Sequence, residues 1–88
     1  MSPGDLALLK LCEGRILAVE LSSSKQFFAE IVMVVDEPPT PDVFLLPVVR
    51  EPDGAFTATS TAGESVLLAD INRIALIPGI EYAGIPDG

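Results

Sequence analysis

At Gly14 the hydrophobic pattern of this chain changes period, from that of a helix to that of strands, and it does not change back. Before that point, Ser2-Pro3-Gly4-Asp5 has the chemistry of a helix start. Serine can cap, proline is tolerated in the first turn, and an early aspartate suits the positive end of the helix dipole. Leu6 and Leu9 then share one side with Glu13, and Leu8, Leu11 and Cys12 the neighbouring one. The spacing predicts a short amphipathic helix over 3–12, stopped by Gly14.

From Arg15 onward the apolar residues alternate in short runs, separated by turn residues. Leu17, Val19 and Leu21 face one way in the first run, with Ile16, Ala18 and Glu20 on the other side. After the polar turn Ser22–Lys25, the run QFFAEIVMVVD places Phe27, Ala29, Ile31, Met33 and Val35 on one face. Phe28, Glu30, Val32 and Val34 take the other, so both faces are largely apolar and call for cover. A proline-rich loop, EPPTPD over 37–42, leads to VFLLPVVRE. Pro47 within that run predicts an edge strand or a bulge, since proline brings no ladder donor. Pro52-Asp53-Gly54 is a hairpin signal, AFTATST a half-exposed strand, SVLLA a short one and IALIP the last. Asp70-Ile71-Asn72-Arg73 reads as one 3₁₀ turn, capped by Asp70, and residues 80–88 as a trailing tail. Short strands with polar turns and no room for crossover helices predict a small, mostly-β domain over 1–79.

With 88 residues the chain makes one modest core, yet 49% of it is hydrophobic. That excess of apolar surface predicts a homo-oligomer. Five basic residues against 13 acidic ones give a net charge of −8, which repels phosphate backbones and anionic membranes. Cys12, the lone cysteine, excludes an intrachain disulfide and reads as a buried structural thiol; a cytoplasmic setting fits. The start lacks a basic n-region and a long apolar core, so it does not read as a signal peptide. No apolar run reaches the length of a membrane span.

Histidine is absent, which removes the commonest general base and metal ligand. The phosphate-binding, dinucleotide-binding and nucleophile-elbow glycine motifs are absent too. No catalytic, cofactor-binding or metal-binding residue is therefore assigned, and the chain reads as a non-enzyme. Asp36, Glu37 and Asp42 could gather a hard cation, but a solvated acidic loop is the plainer reading. Glu30, in an apolar run, suits an ion pair with Arg15 or Arg73, and Glu20 reads the same way. Phe27, Phe28, Phe44 and Phe56 could stack bases, although phenylalanines on alternating strands more often fill a core.

The order of elements, with Val19-Glu20-Leu21, Ser22-Ser23-Ser24, Ala29-Glu30-Ile31 and Asp36 close to the family's motif places, Ala29 standing for the usual glycine and Asp36 one residue late, resembles the Sm-like (LSm) family, including its Hfq branch. The resemblance covers Leu6 to Pro78. It implies an N-terminal helix on a five-stranded, strongly bent SH3-like barrel, closing into a ring of six or seven copies. It also implies RNA binding at a pore. Asp36, at the place of one family pocket motif, and Asp70, Asn72 and Arg73, near the place of the other, are then the candidate ligand or pore residues. The alternative role is a protein-interaction or scaffold module that keeps the barrel and binds no nucleic acid.

Overall fold

The structure is a computed structural model, and it describes residues 2–59 and 62–80. The helix, α1, spans Pro3–Leu11, and Ser2 caps it by accepting the Asp5 amide on Oγ at 3.1 Å. It ends at Leu11, one residue before the predicted end, with Cys12 as its C-cap, and Gly14, at φ +82°, turns the chain into the sheet. Six strands follow: β1 (Ile16–Leu21), β2 (Gln26–Val35), β3 (Asp42–Arg50), β4 (Phe56–Ala58), β5 (Glu64–Leu67) and β6 (Ile71–Ala75). All pairings are antiparallel, in the order β4-β3-β2-β1-β6, with β5 also paired to β3.

The sixth strand comes from an interruption. β4 and β5 lie along the same side of β3, on Val48–Arg50 and on Asp42–Leu45, with a gap between them. Pro47 sits opposite that gap, which corrects its expected edge position: β3 has neighbours on both sides. Its carbonyl accepts the Thr59 amide at 3.1 Å, so its backbone polar groups point away from β2. A missing amide is tolerated there because the neighbouring strand is broken.

Two β-bulges break the alternation that the sequence suggests. In β2, Ile31 faces Leu45 but Met33 faces Phe44, so one extra residue enters and the pattern shifts. Val32 and Met33 are both exposed as a result, and Val34, not Met33, packs against the core. In β6, Ile71 faces Leu21 while Arg73 faces Glu20, which leaves Asn72 as the extra residue. The 3₁₀ turn lies earlier than predicted, at Leu68–Asp70, and Ile71–Arg73 belong to the last strand. Asp70 ends that turn rather than capping it: the N-cap is Leu67, with no side-chain bond.

The core draws on the helix, on β1, β2, β3 and β6, and on the 3₁₀ turn. Leu9 and Cys12 meet Leu17, Val19, Ala29, Ile31, Val43, Leu45, Leu68, Ile71 and Ile74 in one buried cluster. α1 packs against β2 and β6. Three polar contacts hold it there. Gly14 donates its amide to the Ile31 carbonyl at 2.6 Å, Glu13 Oε2 accepts the Val34 amide at 2.8 Å, and Lys10 pairs with Asp36 at 2.8 Å. The Glu13 contact supplies β2 with an acceptor just beyond the end of β1. None of the described helices is long and apolar enough to cross a membrane. The expected tail lies outside the described residues from 81 onward.

Candidate functional site

The outer face of β6, β1 and β2 carries a cavity of about 350 Å³. Its form follows from strand register. Ala75, Ala18 and Phe28 are cross-strand neighbours and make one row; Arg73, Glu20 and Gln26 make the next. Two alanines side by side leave a hollow, with the Phe28 ring as one wall. Val19, Phe27 and Ile74 complete the lining. Phe56 stands edge-on to Phe28, with ring centroids 5.8 Å apart, and Arg50 lies over the Phe56 ring at 5.6 Å. Lys25 lies over Phe27, also at 5.6 Å.

The polar row is held in place. Gln26 Nε2 donates to Glu20 Oε1 at 2.8 Å, and Asn72 Nδ2 donates to Glu20 Oε2 at 2.5 Å. The β6 bulge is what makes this possible, because Asn72 and Arg73 are consecutive yet both exposed beside Glu20. These hydrogen bonds, Asn72 first and then Gln26, hold the Glu20 carboxyl below the usual carboxylate range, with the Arg73 charge adding to them. Arg73 faces Glu20 in register but makes no ion pair with it. The one ion pair among the described residues is Lys10–Asp36.

The four residues expected to share a pocket are therefore divided. Arg73 lines the cavity, and Asn72 orients Glu20 at its margin. Asp70 reaches this end of the sheet through its backbone, where its carbonyl accepts the Ser22 amide at 2.8 Å. Asp36 lies just past the far end of β2, on Lys10. Glu20 and Gln26 were not among the expected pocket residues; the signal for them is the small residue at Ala18 two positions before a glutamate, which opens the hollow. Glu30 pairs with neither Arg15 nor Arg73.

Asp36, Glu37 and Asp42 do not gather, and no described group of three or more carboxylates or cysteines could hold a metal ion. Cys12 is fully buried. Burial pushes its thiol up, against the opposing pull of Arg15, so it is a poor nucleophile. The phenylalanines expected in the core lie at its margin or outside it. Phe27 packs against it, Phe28 and Phe56 pair on the outer face, and Phe44 is exposed.

A second feature of the outer face is apolar. Met33 is 52% exposed, Leu67 43% and Phe44 38%, with Val32 beside them across β2, β3 and β5. No protein-family model matches the sequence, and no curated protein or solved structure matches it.

Proposed function

We propose that this chain is a non-enzymatic Sm-like module that assembles with copies of itself into a ring of six or seven. In the ring, the edge formed by β4 and β5 of one copy pairs with β6 of the next, and each sheet bends towards a five-stranded SH3-like barrel with β4 and β5 acting as one interrupted strand. The observation that carries this reading is the state of the two edges. Among the described residues β4 and β5 pair only with β3, and β6 only with β1, so each edge has a ladder partner on one side. The β5 edge carries exposed Leu67, with exposed Phe44 and Met33 on the strands behind it, and such an open edge favours pairing with a further strand. Sedimentation equilibrium tests it with Leu67→Lys, which places a charge beside the edge. The wild type is expected to be oligomeric and the variant to shift towards monomer; a wild-type monomer contradicts the reading.

The absence of enzymatic activity is supported by the chemistry of the side chains. The chain has no histidine, its thiol is buried, and no three carboxylates or cysteines gather among the described residues. RNA binding at a pore rests on the order of elements, and the net charge of −8 works against it. An anisotropy titration with U-rich and A-rich RNA at two salt concentrations decides that part, and flat curves at low salt remove it. The apolar patch of Val32, Met33, Phe44 and Leu67 favours a second reading, an SH3-like protein-interaction module. A chain that is monomeric and binds no RNA leaves that one standing.

A further inference from the structure

We propose that the cavity on β6, β1 and β2 is a binding site for a free α-amino acid with an apolar side chain, its ammonium on Glu20, its carboxylate on Arg73 and its side chain in the hollow over Ala18 and Ala75. Every residue of the site comes from one chain. Three observations carry it.

The first is an opposite pair of charges that has not collapsed. Glu20 and Arg73 face each other in register, on strands whose backbones lie about 5 Å apart. They would be free to form a surface ion pair, yet they do not. The Glu20 carboxylate is held instead by Gln26 and Asn72, one amide on each oxygen. Arg73 is left with five donors and, among the described residues, no carboxylate within ion-pair distance. A held anion beside a free cation is complementary to a zwitterion.

The second is what remains available at Glu20. A carboxylate offers about four acceptor positions, and two are occupied here. The others, together with the amide oxygens of Gln26 and Asn72, suit an ammonium with its three donors. A simple anion would meet Arg73 but also the Glu20 charge, and a simple cation would meet the reverse conflict. Only a ligand carrying both charges avoids each repulsion.

The third is the hollow. Ala75, Ala18 and Phe28 form the row directly beside the charged one, so an apolar group attached between the two head groups falls against them. About 350 Å³ lies near the small end of ligand pockets, which run from roughly 300 to 1,000 Å³. That volume suits one amino acid rather than a peptide or a nucleotide chain.

Calorimetric titration of the full chain with L-leucine, L-methionine and L-phenylalanine tests the assignment. At least one is expected to bind. Its N-acetyl derivative, which lacks the ammonium, and its amide, which lacks the carboxylate, are each expected to bind about tenfold more weakly or less. Ala18→Leu, which fills the hollow, is expected to abolish binding, and Glu20→Gln and Arg73→Ala to weaken it about as much as loss of the matching head group. Circular dichroism on each variant separates lost binding from lost fold, and the ligand series requires no variant. No heat with any of the three amino acids overturns the proposal. So does binding that is indifferent to removal of either head group, or that survives Ala18→Leu in a folded protein.

Discussion

Gly63 is where one atom decides the packing. A Cβ there would lie 2.5 Å from the tip of the Phe44 ring and 3.0 Å from the Leu45 carbonyl. The ring can swing outward, since it is half exposed, but the carbonyl belongs to a paired strand. Gly63→Ala is therefore expected to destabilise by about 1–3 kcal/mol, with part of the loss recovered in a Phe44→Ala background. Urea denaturation of the two single variants and the double variant measures that coupling; strictly additive losses contradict the contact. Glu20 gives a pH signature. Its folded-state pKa is depressed by Asn72, Gln26 and Arg73, so its contribution to stability is complete above the unfolded value of about 4.3. That contribution is lost as pH falls through the lower folded value. Thermal melts from neutral pH down to about pH 3 are expected to fall less steeply for Glu20→Gln than for the wild type. Parallel curves would show that Glu20 is not held as described.

Among the elements, the β1–β2 hairpin and α1 have weaknesses that can be located. Ser24 turns the hairpin at φ +72°, a left-handed conformation that costs a side-chain-bearing residue about 1 kcal/mol or more. Ser24→Gly is expected to raise stability by up to about 1 kcal/mol, part of the relief being offset by glycine's freedom in the unfolded chain. A fall in the urea midpoint would contradict this. Nine residues are too few for a stable helix in isolation, so α1 depends on its seat in the core. Leu9→Ala is expected to cost about 2–5 kcal/mol, because Leu9 is fully buried in the central cluster. A loss under 1 kcal/mol would mean that the helix is only loosely docked. At this scale the sequence was legible as far as its local signals reached. Ser2, Pro3 and Gly14 marked the helix, and the turn residues marked most strands. The bulges were not legible, because an extra residue in one strand is defined by its partner's register. Strict alternation therefore puts Met33 on the face of Ala29 and Ile31, and the polar run Asp70-Ile71-Asn72-Arg73 reads as a 3₁₀ turn across the start of β6. The same gap hid the cavity: Asn72 and Arg73 are distant in sequence from Glu20 and Gln26, and the two pairs meet only through the pairing of β1 with both neighbours.

For the whole molecule the question is what covers the apolar surface that one copy leaves open. Among the described residues six large hydrophobic side chains are exposed, and four of them, Val32, Met33, Phe44 and Leu67, share the face around β5. Against association stands a charge of −8 on each copy. Salt screens that repulsion within about 10 Å at 0.1 M, so assembly held by strand pairing and apolar contact should strengthen as salt rises. Light scattering across a dilution series, at low and at moderate salt, tests the central claim most directly. The account predicts a particle of six or seven times the monomer's mass, more persistent on dilution at the higher salt. A particle of single-chain mass at every concentration and both salt levels, still folded, would contradict it.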